Sequence, residues 1–224
     1  MAWLHTARFL TEAPQLQHLP DATLPEIAFV GRSNAGKSTC INTLTQQKRL
    51  AFASKTPGRT QSINLFALGK QGLTDAVLAD LPGYGYAAVP QAAKRRWQEV
   101  MANYLVSRPN LRAVVLLCDA RLGLTELDEA LLQVIRRRVE QGLAFRVLLT
   151  KADKLNRQEA AKALSVARLQ TAGGSAQLFS ASSKLGLEET AIQIWDWAHP
   201  ETPAATEATA APVAPPAPQP SPSA

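Results

Sequence analysis

The chain has 224 residues, 46% hydrophobic and 19% charged, a balance that suits a globular protein with a proper core and excludes a fibrous or wholly disordered one. Its formal net charge of +6 permits an anionic partner without demanding one. Two cysteines suggest no disulfide framework, three scattered histidines make no metal-ligand spacing, and no apolar run approaches the ~18 residues of a membrane span. The N-terminus has neither the long apolar core nor the cleavage pattern of a leader, so a cytoplasmic protein is expected.

Residues 1–24 carry Pro14 and Pro20 among apolar residues and read as a lead-in packed on the domain. Ile27-Ala28-Phe29-Val30 reads as a buried strand, and a helix is expected from Ser38 to about Gln47. Residues 48–61 are polar around Pro57-Gly58 and read as a mobile loop. Two apolar runs, 62–68 and 73–79, flank Gly69-Lys70-Gln71-Gly72, which suits an antiparallel hairpin. A basic helix follows over 91–107, with Trp97, Val100, Tyr104 and Leu105 near helical spacing, and Pro109 ends it.

The continuous apolar run 111–118 marks a strand covered on both faces. A helix is expected over 125–140, with Leu127, Leu131, Val134 and Ile135 on one side and Gly142 beyond its end. Strand 143–149, helix 156–171, short strand 175–179 and helix 187–198 complete the alternation. The expected fold is α/β in three layers: a mostly parallel six-stranded sheet with one antiparallel edge strand and helices on both faces, spanning a domain at 25–199. Residues 200–224 collapse to Ala, Pro, Thr and Ser and should be disordered.

Between the first strand and helix lies Gly31-Arg32-Ser33-Asn34-Ala35-Gly36-Lys37-Ser38-Thr39, which fits the phosphate-loop pattern G-x-x-x-x-G-K-S/T in the context it requires. The glycines let backbone N–H groups turn inward on an anion, and the helix N-terminus adds its own donors. Lys37 places a charge on the β- and γ-phosphates, and the Ser38 hydroxyl can ligate Mg²⁺. Asp80-Leu81-Pro82-Gly83 is a D-x-x-G at a strand end: Asp80 suits magnesium, and the Gly83 N–H suits a γ-phosphate.

Thr150-Lys151-Ala152-Asp153 ends another strand. A carboxylate accepts two hydrogen bonds side by side, and guanine offers two such donors where adenine does not. The Lys151 stem can lie over the base. Phe179-Ser180-Ala181 ends the next strand, where the Ala181 N–H can donate to guanine O6. In the polar loop, Thr56 and Thr60 both qualify chemically as magnesium ligands.

These five stretches resemble the five signature segments of the translation-factor-like GTPases. Gly31 to Ser38, Thr56-Pro57-Gly58-Arg59-Thr60-Gln61 and Asp80-Leu81-Pro82-Gly83-Tyr84-Gly85-Tyr86 are similar to the EngB (YihA/YsxC) family, among the TrmE-Era-EngA-EngB-septin-like GTPases. The likeness covers about residues 8–198 and implies the P-loop GTPase fold and a monomeric Mg²⁺-dependent GTPase that binds GTP and GDP. It also implies a role in large-ribosomal-subunit assembly, with subunit and rRNA as partners, and a need for the protein in cell division and septation. By motif position it selects Thr60 over Thr56 as metal ligand beside Ser38 and Asp80, and it sets Gly58, Arg59, Gln61 and Ser62 around the nucleotide.

Two rival readings are a P-loop kinase or ATPase acting on a small molecule, and a ribosome-binding module using GTP only structurally. Lys94-Arg95-Arg96 and Arg136-Arg137-Arg138 are the densest basic clusters, and the first follows the segment that should sense the γ-phosphate. Tyr84 stands where many GTPases carry a water-orienting glutamine, so catalysis falls to Lys37, Gly83 and Asn34, and slow hydrolysis is expected. The Asn34 side-chain carbonyl could hold K⁺ against the phosphates, and related families with asparagine there look K⁺-dependent.

Overall fold

The computed structural model describes residues 2–51, 62–85, 91–171 and 173–200. Runs of Val, Leu, Ile and Ala form one seven-stranded sheet from β1 (Arg8–Ala13), β2 (Glu26–Gly31), β3 (Ile63–Leu68), β4 (Ala76–Asp80), β5 (Leu111–Asp119), β6 (Ala144–Thr150) and β7 (Ser175–Leu178). Their order is β1-β3-β4-β2-β5-β6-β7. Pairings are parallel except the two that β3 makes, with β1 and with β4.

The sheet therefore has one strand more than the sequence suggests. β1 covers the outer side of β3, the strand that the sequence puts at the edge. The register shifts between Phe9 and Thr11, and that irregularity hides the strand's alternation. β1 is also largely exposed, burying only Ala13, so it carries little apolar signal.

Helices α1 (Lys37–Leu44), α2 (Gln91–Ser107), α3 (Glu126–Glu140), α4 (Arg157–Gln170) and α5 (Leu187–Ala198) cover both faces. One core lies between the sheet and α2, α3 and α4, around Tyr104, Leu131, Ile135 and Ala167. The other holds Phe29, Ile41, Leu44, Phe179 and Ile194 under α1 and α5. Both faces of β5 are buried from Ala113 to Cys118, as its continuous apolar run requires.

Helix α1 stops three residues before the expected Gln47. The Thr45 hydroxyl turns back on the Ile41 carbonyl (2.8 Å), and Gln46 adopts a left-handed φ of 54°. β4 begins at Ala76 instead of Leu73 because Asp75 is held by the Trp3 indole N–H, which donates to its carboxylate at 2.9 Å. That contact, with Trp3 set edge-on to Trp195 at 5.1 Å, joins the N-terminal segment to α5.

On α3 the buried residues are Asp128, Leu131, Leu132 and Ile135, while Leu127 and Val134 stay about 40% exposed. Those two line a shallow apolar groove against Met101 and Leu105 of α2. At the edge opposite the loops described next, the buried Glu26 carboxylate accepts from Tyr104 Oη (2.7 Å) and from Arg108 Nη2 (2.6 Å) and Nε (3.0 Å). Cys40 and Cys118 are free and buried, and burial pushes both thiols well above the usual range, so they are unreactive at neutral pH. No described helix is long and apolar enough to cross a membrane. Of the tail expected to be disordered, residues 200–224, all but Pro200 lie outside the described residues.

Candidate functional site

The carboxyl ends of β2, β4, β6 and β7 converge on one edge of the sheet, where parallel sheets of this kind bind ligands. Beyond β2 the chain turns over itself, with Asn34 at φ 67° and Gly36 at φ 92°, and enters α1 at Lys37. Gly36 is the residue that adopts this geometry without steric cost. The loop is braced from outside: Thr150 Oγ1 donates to the Ala35 carbonyl (2.6 Å), and Lys151 Nζ donates to the Asn34 carbonyl (2.8 Å).

At the end of β4, the Asp80 carboxylate is paired with Lys37 Nζ, and both groups are buried. Ser38 lies in the first turn of α1, next to Lys37 in sequence. A carboxylate and a hydroxyl next to a phosphate loop are hard oxygen donors, and this donor set fits Mg²⁺. Leu81 and Pro82 are buried. Gly83 then passes so close to Ser33 that a Cβ would meet its Oγ at 3.1 Å and its N and Cα at 3.3 Å. The segment also bonds to the phosphate loop directly, Ser33 N–H donating to the Tyr84 carbonyl at 2.8 Å.

Tyr84 does not face the phosphate loop. Its hydroxyl is buried and donates to Asp128 Oδ1 at 2.5 Å, while Asp128 Oδ2 caps α3 by accepting from Thr125 N–H (2.8 Å) and Oγ1 (2.7 Å). Burial and the Asp128 charge push the phenol far above its ordinary value, so it remains a donor at every working pH. Tyr84→Phe leaves that carboxylate oxygen buried without its donor. A loss of about 1–3 kcal/mol in urea unfolding is expected; an unchanged midpoint would mean that the bond contributes nothing.

At the end of β6, Lys151 takes a left-handed φ of 57° and the chain makes a short 3₁₀ turn over Ala152–Lys154. Ser180 Oγ donates to Asp153 Oδ1 at 2.6 Å, and Lys154 Nζ stands 3.4 Å from Oδ2. The Ser180 hydroxyl holds the Asp153 carboxyl below the usual range, so it is ionised at neutral pH. A cavity of about 480 Å³ opens here, with Gly36, Thr39, Lys151, Asp153, Phe179 and Ala181 in its wall.

Thus four of the five expected stretches share one edge. Gly58, Arg59, Thr60 and Gln61 lie outside the described residues, as does Thr56; Ser62 is buried just ahead of β3. Of Lys94-Arg95-Arg96, only the Arg95 side chain is described, and it is exposed. The Arg32 Nε is buried beside Gly85, with no hydrogen-bond partner among the described residues. The sequence reading missed Asp119, which holds Lys151, Arg121, which holds Asp119, and Asp128, which holds Tyr84. An aspartate ending a fully apolar strand at the ligand edge was the available signal for the first.

Phosphate loops serve many nucleotide-binding proteins, and here the loop's Gly36 and the Asp153 carboxylate line one cavity. A family model described as "50S ribosome-binding GTPase" matches residues 26–151. The probable GTP-binding protein EngB of Polaromonas sp. (strain JS666 / ATCC BAA-500) is 75% identical over 200 residues, covering 89% of this chain and 82% of that one. Its counterpart in Paraburkholderia xenovorans (strain LB400) is 48% identical over 213 residues, covering 91% and 97%. The chain belongs to the EngB family of GTP-binding proteins.

Solved structures share the fold. The crystal structure of a probable GTP-binding protein EngB aligns with a TM-score of 0.61 at 19% identity, covering 78% of this chain and 98% of that one. A point variant of Era from Aquifex aeolicus, bound to GDP·AlF₄⁻, aligns at 0.63 and 20% identity, covering 78% and 57%.

Proposed function

We propose that the protein is a slow, Mg²⁺-dependent GTPase switch, monomeric and cytoplasmic, acting in assembly of the large ribosomal subunit and so needed for normal cell division and septation. The observation that carries the nucleotide reading is Asp153, held ionised by Ser180 across one cavity from Gly36 and beside the braced phosphate loop. The ribosomal reading is supported by the description of the matching family and by the chain's basic balance.

In this reading Lys37 turns from Asp80 alone to a site shared with the β- and γ-phosphates, and the Gly83 N–H approaches the γ-phosphate from beside Ser33. Ser38, Asp80 and Thr60 would hold Mg²⁺, which would supply positive charge to offset that of the phosphates. Lys151 lies over guanine, Asp153 reads its N1 and 2-amino donors, and the Ala181 N–H meets O6. The γ-phosphate engages the Gly83 segment, and hydrolysis releases it.

Tyr84 spends its hydroxyl on Asp128, so it orients no water, and intrinsic turnover near ~10⁻⁴ s⁻¹ is expected, the scale of an unassisted switch GTPase. In the same reading Asn34, exposed in the phosphate loop, supplies a K⁺ ligand; equal turnover in K⁺ and Na⁺ would remove that role.

Co-sedimentation with large ribosomal subunits tests the function. More protein should pellet with a non-hydrolysable GTP analogue than with GDP or no nucleotide, and the amount should fall as salt rises. Pelleting that ignores the nucleotide would overturn the switch.

A further inference from the structure

Lys151 serves two neighbours at once. Its backbone occupies the left-handed region, its stem borders the base cavity, and its ammonium reaches the carbonyl of Asn34 at 2.8 Å. A four-carbon side chain has several rotamers, and losing that freedom is costly, so something must fix the ammonium before a nucleotide arrives. The fixing group is Asp119, the last residue of β5, paired in register with Thr150. Its carboxylate is only 7% exposed, and Oδ2 accepts from Lys151 Nζ at 2.9 Å.

Asp119 is itself immobilised. Arg121 donates Nε and the backbone N–H to Oδ1 (2.9 and 3.1 Å) and Nη2 to Oδ2 (2.7 Å). With Lys151 the carboxylate accepts four hydrogen bonds, the capacity of an ionised carboxylate. The forked guanidinium fixes both oxygens, so Asp119 cannot turn away from the lysine.

We propose that Asp119, locked by Arg121, is a positioning residue for guanine-nucleotide binding: it holds Lys151 so that one side chain joins the base pocket to the phosphate loop. Asp119 is not in the wall of the cavity at Asp153 and acts through Lys151. The inference rests on the assignment of guanine to Lys151 and Asp153 made above. Its consequence is a nucleotide held by a preorganised wall, so that loosening the wall shows first in the rate of release.

The test is a double-mutant cycle on the full chain, read as the release rate of a fluorescent GDP analogue in Mg²⁺, with thermal unfolding alongside. Asp119→Asn and Asp119→Ala should each speed release about tenfold, the scale of one charge-assisted hydrogen bond. In a Lys151→Ala background the same changes should add nothing. Arg121→Ala, which removes a half-exposed side chain, keeps the test open if both Asp119 variants fail to fold. It should speed release in the parent and leave the Lys151→Ala protein unaltered.

Equal acceleration in both backgrounds would overturn the proposal, because Asp119 would then act as structure alone. Unchanged release in every variant would overturn it too. An Asp153→Asn arm separates the two levels. If that variant keeps the parent's GDP affinity, the guanine assignment fails; if it loses affinity while the cycle shows no coupling, only the role of Asp119 fails.

Discussion

Lys37→Ala is expected to unfold more readily than the parent by about 3–5 kcal/mol, even with no nucleotide present. The reason is the pair it leaves behind. Lys37 and Asp80 face each other in a buried position at the mouth of β2 and β4. Removing the ammonium strands a carboxylate on a residue that is 2% exposed. A buried ion pair adds little against a hydrophobic alternative, but breaking it from one side is costly. Lys37→Ala combined with Asp80→Ala should therefore recover most of the loss, which chemical denaturation can show. Nucleotide affinity should fall on the order of a hundredfold in Lys37→Ala, since two charge-assisted bonds to phosphate are gone, and further in the double variant, which also lacks the Asp80 carboxylate. A single variant as stable as the parent would mean that the pair is not maintained in solution.

Asp153→Asn should alter which base is bound and leave the fold alone. Its carboxylate opens onto the cavity, so no buried group is stranded, and Ser180 Oγ can still donate to the amide oxygen. The amide, however, sets an N–H against one of guanine's two donors. GTP affinity should fall by at least about a hundredfold, because a mismatched polar group in such a pocket is strongly rejected. Xanthine has a carbonyl where guanine has the 2-amino group, and XTP should gain affinity. Competition binding of GTP and XTP to parent and variant measures both. A variant that keeps the parent's preference would show that Asp153 does not read the base.

The phosphate loop was legible in the sequence because its chemistry is local. Gly31 to Ser38 are consecutive, and each residue's part follows from its own type. The strand ends at Asp80 and Thr150 were legible for a related reason: largely apolar runs announce buried parallel strands, and candidate ligand residues follow them.

What stayed hidden depends on partners far along the chain. Tyr84 reads as a poor stand-in for a catalytic glutamine, but the place its hydroxyl goes is set by Asp128, 44 residues on. Lys151 reads as a cover for the base, while its anchor at Asp119 lies 32 residues upstream on a neighbouring strand. β1 escaped because a register shift breaks its alternation and most of its residues face solvent. Leu127 and Val134 carried the right helical spacing for a core face, yet α2 leaves a groove over them. Periodicity shows which residues share a side of a helix, and the neighbouring helix decides how much of that side is covered.

The most direct measurement of the central claim is a competition titration of the unaltered protein in Mg²⁺ with GDP, IDP and ADP. Inosine lacks the 2-amino group, so IDP keeps one of the two bonds to Asp153; adenine keeps neither. GDP should bind tightest, IDP about tenfold more weakly, and ADP weaker by on the order of 10⁴-fold. ADP competing as well as GDP would contradict the account, because Asp153 would then have no part in choosing the base.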